Sequence, residues 1–288
     1  MKKFRGFEFV LPWLIGTVVF FIIPLFTSLY YSFCNVRIDS EKTTYEFVGL
    51  QNYRYIFYTD EYYTDYLIDT LSETLWKTPL IIIFSLFVAV FLNQKFKGRT
   101  LARAVFFLPV IIASGPVYNI ISGNIQNTSN EQFSTMFSTD LIGELMRFLG
   151  LYNISENTEK MILTISDNIF SIVWNSGIQI LIFLSALQNI PQSARDSALI
   201  EGADGWDFFW RVTLPYVSPL FKVNLVFTVI DTFTSPSNPV MNRILLMQSE
   251  WNYGYASAMA WLYFGIVLLF IFFALALVRR ISDGDSYA

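Results

Sequence analysis

Six apolar stretches, most of them long enough to cross a bilayer, leave this chain few folds to choose from. The first, residues 7–31, is almost wholly apolar apart from Glu8 and follows a basic head of Lys2, Lys3 and Arg5. About 20 apolar residues in a helix cross a hydrocarbon core of roughly 30 Å. A run of this length without a clear small-residue cleavage site reads as a retained first span. Further runs cover about 71–93, 104–121, 168–187, 219–233 and 255–278. Inside lipid the backbone must bond within its own segment, so each run is expected to be a helix. The expectation is an all-α membrane protein, with residues 1–288 forming one domain of six transmembrane helices.

Composition agrees. Hydrophobic residues make up 54% of the chain and charged residues 15%, against about 25% charged in soluble domains. A net charge of −4 gives no reason to invoke nucleic acid. The chain has no histidine, which removes Ser-His-Asp triads, HExxH zinc sites and histidine proton relays. Its single cysteine, Cys34, reads as a small apolar filler near a membrane boundary. No G-x-x-x-x-G-K-[ST] phosphate loop occurs, so the chain is not expected to bind ATP or to be an enzyme on its own.

The spans carry their own interruptions. Pro12 and Pro24 are positioned to kink the first, and Pro109, Gly115 and Pro116 interrupt the third. Glu73 and Lys77 stand four apart on one face of the second, the spacing of a helical ion pair. Residues 35–65 are polar and rich in tyrosine, consistent with an interfacial belt or with partner docking. Residues 122–160 form a polar Ser/Asn-rich segment with an amphipathic piece at 141–149, and 235–253 read as a polar connection.

Charge gives the orientation. Six spans put both termini, the 95–103 loop and the 189–215 loop on one side. That side holds Lys2, Lys3, Arg5, Lys95, Lys97, Arg99, Arg103, Arg195, Arg211, Arg279 and Arg280, eleven of the 19 basic residues. By the positive-inside rule it is cytoplasmic.

Residues 189–215 are the most informative stretch. Pro191 suits a first helical turn, and Gln192 to Glu201 are mostly good helix formers. Gly202 and Gly205 bracket a turn where positive φ costs little. Trp206 to Val212 reads as a second short amphipathic helix with Trp206, Phe209 and Trp210 on one side. Pro215 and Pro219 are expected to restart the chain as a new span. The sequence Asp196-Ser197-Ala198, three residues, Gly202, nine residues, Val212-Thr213-Leu214-Pro215 resembles the coupling loop of ABC importer permeases. Their signature reads Glu-Ala-Ala, three residues, Gly, nine residues, Ile-x-Leu-Pro. Here Asp196 replaces the leading Glu and Ser197 the first Ala. Ile190-Pro191 and Glu201-Gly202-Ala203 are similar to the carbohydrate-uptake branch, as is, more loosely, 47–53.

The resemblance implies a type I importer permease bundle with cytoplasmic coupling helices. It implies that Asp196, Ser197, Ala198, Leu199, Glu201, Gly202, Ala203, Val212, Leu214 and Pro215 form the contact with an ATPase. The implied partners are a dimer of ATP-binding subunits carrying ATP-Mg, a second permease subunit and an external solute-binding protein, assembled in a bacterial-type cell membrane. The implied cargo is a sugar, an oligosaccharide or glycerol phosphate. Sugar sites combine aromatic faces with amide and carboxylate hydrogen bonds. Trp174, Asn175 and Gln179 in the fourth span and Asn224 and Asp231 in the fifth are the groups expected along the pathway. Packing between helices accounts for such amides equally well, at roughly 0.6 to 2 kcal/mol each. The rival reading is an ion-coupled secondary transporter using Asp231, Glu73 and Asp69. Six spans without an internal repeat are few for such a fold.

Overall fold

A computed structural model describes residues 5–38, 43–113, 168–169, 171–235 and 238–284. The 141–149 piece and the end of the third span at 114–121 lie outside them. The described chain runs as α1 (Arg5–Thr17), a π-helical turn (Val18–Ile22), α2 (Ile23–Ser32), β1 (Cys34–Ile38), β2 (Thr43–Phe47), α3 (Gln51–Tyr58), α4 (Glu61–Asn93) and α5 (Arg99–Ala113). It continues as α6 (Gly177–Gln188), α7 (Gln192–Ile200), α8 (Gly205–Phe208), a second π-helical turn (Phe209–Thr213), α9 (Leu214–Thr234), α10 (Pro239–Ser249) and α11 (Tyr253–Gly284). Four helical stretches, 10–32, 61–93, 205–234 and 253–279, are long and apolar enough to cross a membrane, and α6 is a shorter apolar helix.

Several details depart from what the sequence suggests. The chain is mostly helical but not wholly so, because β1 and β2 form an antiparallel hairpin with Cys34 opposite Phe47 and Val36 opposite Tyr45. The fourth apolar run is broken at Ser176, with residues 171–175 helical before it and α6 after it. Residues 235–253, expected as a polar connection, carry α10. Asn238-Pro239 is a helix-start signal, and Val240, Ile244 and Met247 are buried at i, i+4 and i+7. Pro215 does not restart the chain. The helix is continuous from Gly205 to Thr234, passing through the second π-helical turn. Proline clashes with the carbonyl four residues earlier. For Pro24 that residue is Phe20, for Pro215 it is Arg211, and both lie within π-helical turns. The widened turn is how the helix carries each proline onward.

The chain divides into two compact units. In the first, residues 1–70 with 239–270, Cys34, Ile56, Tyr63, Val240 and Met259 are fully or nearly fully buried. Asn52 Nδ2 donates to the carbonyls of Ser32 (3.0 Å) and Cys34 (3.1 Å), and Tyr53 OH donates to Ser32 Oγ (2.9 Å). The 47–53 stretch thus closes the end of α2 from within the unit. Gly254 has a backbone reason to be glycine, since a Cβ there would meet the Cys34 carbonyl oxygen at 2.1 Å.

The second unit, residues 71–238 with 271–288, is built on Ile82, Leu86, Ala89 and Leu92 of α4, Ile180, Phe183, Leu184 and Leu187 of α6, and Val217 of α9. Phe183 and Phe221 meet at 5.1 Å between ring centroids. Arg103 Nη2 donates to the Leu92 carbonyl at 3.1 Å, tying α5 to the last turn of α4. Glu73 and Lys77 form the ion pair their spacing suggests.

Candidate functional site

The 189–215 loop is held at both ends and free in the middle. At its base, Tyr216 OH donates to the Asn189 carbonyl at 3.0 Å, joining the end of α6 to the start of α9. Ile190, Phe209 and Leu214 pack against the core of the second unit. Pro191, extended at ψ 138, starts α7, where its missing N–H leaves no bond unmade. Gln192 Nε2 donates to Asp196 Oδ1 at 3.0 Å across one turn.

The end of α7 explains Gly202. The Ala203 N–H donates to the Ala198 carbonyl (2.9 Å) and the Gly202 N–H to the Leu199 carbonyl (3.1 Å). This pair of bonds closes a helix when the residue after its end turns left-handed, and Gly202 has φ +79. Nothing lies within 4 Å of where its Cβ would be, so the demand is conformational rather than steric. Asp204 then caps α8, accepting from the Asp207 N–H at 2.7 Å. Gly205, expected to share the positive-φ role, does not.

The nine residues of α7 include none that is buried. Leu199 is 64% and Ile200 88% exposed. Asp196, Ser197, Glu201, Gly202 and Pro215 are also exposed, while Ala198, Ala203, Val212 and Leu214 are half-buried. Trp206 and Trp210 are exposed and pack edge to face at 5.5 Å. Phe209 packs against the core and also meets Trp210 edge to face at 5.3 Å, so the three rings form one chain of contacts.

The intramembrane polar groups fall into two sets. Gln179 and Asn224 are fully buried. Gln179 Nε2 donates to Thr228 Oγ1 at 3.0 Å, and Asn224 lies one turn before Thr228 on α9. Gln179 Oε1 and both amide atoms of Asn224 have no hydrogen-bond partner among the described residues. Each amide is ten residues from the loop, Gln179 from Asn189 and Asn224 from Leu214, which is about 15 Å of helix. They therefore lie at a similar distance along their helices from the loop. Thr228 was not anticipated; its place at i+4 from Asn224 and i−3 from Asp231 is the pattern that marks it. Asn175 bonds Ser171 Oγ at 3.3 Å, before the break at Ser176. Trp174 is half-buried and Asp231 exposed. The structure thus joins Gln179 to α9 beside Asn224, while the bond given for Asn175 is to Ser171.

A third polar cluster, in the first unit, has no counterpart in the sequence reading. Asp60 caps α4, accepting from the Tyr63 N–H at 3.1 Å through Oδ1. Its Oδ2 accepts from Arg243 Nη2 (3.2 Å) and Tyr255 OH (2.8 Å). Tyr63 OH donates to the Met259 carbonyl at 2.9 Å. Arg243 also stands 5.8 Å from the centre of the Tyr62 ring.

Comparison with known proteins follows the same lines. No family model matches the chain. The probable ABC transporter permease protein YesP of Bacillus subtilis is 31% identical over 94% of this chain and 93% of its own length. The multiple sugar-binding transport system permease protein MsmF of Streptococcus mutans is 31% identical over 100% of this chain and 97% of its own. In fold, the chain is similar to a solved bacterial alginate ABC transporter in complex with alginate pentasaccharide-bound periplasmic protein. That likeness has a TM-score of 0.67 at 17% identity, covering 97% of this chain and 96% of that one.

Proposed function

Since this chain belongs to the ABC transporter permeases, we propose that it is a membrane-spanning subunit of an ATP-driven, binding-protein-dependent importer of sugars or oligosaccharides. It crosses the membrane six times, through α1–α2, α4, α5 and the residues that follow it, 168–187, α9 and α11. Both termini lie in the cytoplasm. ATP and Mg bind to a dimer of separate ATPase subunits, a second permease completes the pathway, and an external binding protein delivers the solute. No observation favours the ion-coupled alternative.

The observation that carries this reading is α7. A helix with no buried residue and an uncovered Leu199 and Ile200 has its apolar contact outside the chain. Its ends are nonetheless fixed, by Gly202 on one side and by the Tyr216–Asn189 bond at the base of the loop. In this reading α7 seats in a groove of the ATPase, with Leu199 and Ile200 as the grip and Asp196 meeting a basic residue. Closure of the ATPase dimer moves α7 as a lever on α6 and α9, and those helices rock the bundle between inward- and outward-facing states. Gln179, Thr228 and Asn224 then line the solute's route, as neutral donors and acceptors suited to hydroxyl groups.

The test is Gly202→Val. A β-branched side chain at φ +79 opposes the left-handed turn by about 1–2 kcal/mol or more. The expected result is normal membrane insertion with loss of solute-stimulated ATP hydrolysis and uptake, and a milder loss for Gly202→Ala. Normal uptake by Gly202→Val would overturn the lever.

A further inference from the structure

The turn between α10 and α11 repeats the closure seen at Gly202. The Asn252 N–H donates to the Met247 carbonyl (3.0 Å) and the Trp251 N–H to the Gln248 carbonyl (3.1 Å). The residue in the left-handed position is Trp251, at φ 64, the only non-glycine with positive φ among the described residues. An L side chain there costs about 1–2 kcal/mol that glycine avoids. Such an outlier persists when something else holds it, and it tends to mark a functional position.

Beyond those two backbone bonds, no close side-chain contact among the described residues holds Trp251 in place. Trp251 is 63% exposed, and its ring contact is a loose edge-to-face approach to Tyr253 at 6.2 Å. The inward row of α10 is Val240, Ile244 and Met247. Leu245 and Leu246, in the last two turns before Trp251, are about half exposed. Two residues after Trp251 begins α11, one of the helices long and apolar enough to cross a membrane. Its Phe264, Leu268, Leu269, Phe272 and Phe273 are exposed. The exposed leucines and indole are thus continuous in the chain with the start of an apolar helix whose own large side chains are exposed. An indole has a broad apolar face and one N–H donor, a combination suited to the boundary between acyl chains and headgroups.

We propose that Trp251 is a lipid-interface anchor. The left-handed turn delivers its ring to the membrane–water boundary beside Leu245 and Leu246, and this fixes the depth at which α11 enters the bilayer.

The test uses the protein purified from its membrane with its companion subunits and placed in lipid nanodiscs. With 5-fluorotryptophan at all seven tryptophans, the Trp251 resonance is assigned by its loss in Trp251→Phe. A lipid carrying a nitroxide near the headgroup is expected to broaden it strongly, and a water-soluble nitroxide weakly. The opposite pattern overturns the proposal. Shielding from the soluble agent that appears only when a solute-binding protein is added overturns it in favour of protein docking. Trp261, eight residues along α11 from Tyr253 and so about 12 Å further in, reports depth. In Trp251→Gly, which relieves the backbone, thermal stability in detergent should hold or rise while Trp261 changes its broadening by shallow and deep lipid nitroxides. An unchanged Trp261 would reduce Trp251 to a turn residue and overturn the anchor.

Discussion

Two buried polar regions of this molecule are finished to different degrees. Around Asp60 both carboxylate oxygens are used, by the Tyr63 N–H, Arg243 and Tyr255, and the one open position is Arg243 Nε. Where α6 meets α9, Gln179 makes one bond and Asn224 none among the described residues. Both regions exclude water to a similar extent, since Asp60 is 5% exposed and the two amides 0%. A buried polar group with all its partners fixes a structure. One without them costs about 1–3 kcal/mol and is kept for some other reason. The Asp60 cluster therefore reads as architecture, holding α10 and α11 to the start of α4. Under the proposed function, the two buried amides are the groups kept for a hydroxylated solute.

The sharpest way to break that contrast is Arg243→Ala. It leaves a buried carboxylate without its cation, which typically costs about 3–5 kcal/mol. Thermal unfolding of the purified protein should show a large loss, with α10 becoming accessible to protease before α9. If stability is unchanged, the Asp60 cluster is not architectural and the contrast fails.

A smaller effect of opposite sign is expected for Asn224→Leu. Leucine keeps the branching of asparagine and removes two atoms that lack partners. The variant should be as stable as the parent or more so, by up to about 1–3 kcal/mol, while uptake falls. A loss of that size instead would mean that Asn224 is satisfied in the folded protein, and its place on the pathway would lose its support.

The two regions also differ in how far they could be read from the sequence. Gln179 and Asn224 stand out because amides are conspicuous in apolar runs. The 189–215 loop is legible because its glycine and prolines act locally: the left-handed turn at Gly202 and the extended Pro191 are properties of single residues. Asp60 and Arg243 are 183 positions apart, and no periodicity links two residues that meet only through the fold. The β1–β2 hairpin escaped for a related reason, since five-residue strands among scattered tyrosines give no alternation strong enough to outweigh the surrounding helices. Hydropathy placed α9, but could not say that Pro215 would be absorbed by a π-helical turn rather than end a segment. The register of a helix around a proline depends on the carbonyl four residues before it, not on the proline alone.

The finest test lies in the one bond that Gln179 does make. Thr228→Val keeps the shape of the side chain and removes the hydroxyl, leaving the Gln179 amide without any described partner. The expected loss is about 1 kcal/mol, the smallest of these effects and opposite in sign to that of Asn224→Leu. Replacing both partners with apolar groups is close to neutral, so Gln179→Leu combined with Thr228→Val should recover most of the loss. A double-mutant cycle isolates the pair. If stability recovers but uptake does not, the amide serves the solute rather than the packing of α6 on α9. If uptake recovers as well, Gln179 is a packing residue, and the unfinished region shrinks to Asn224.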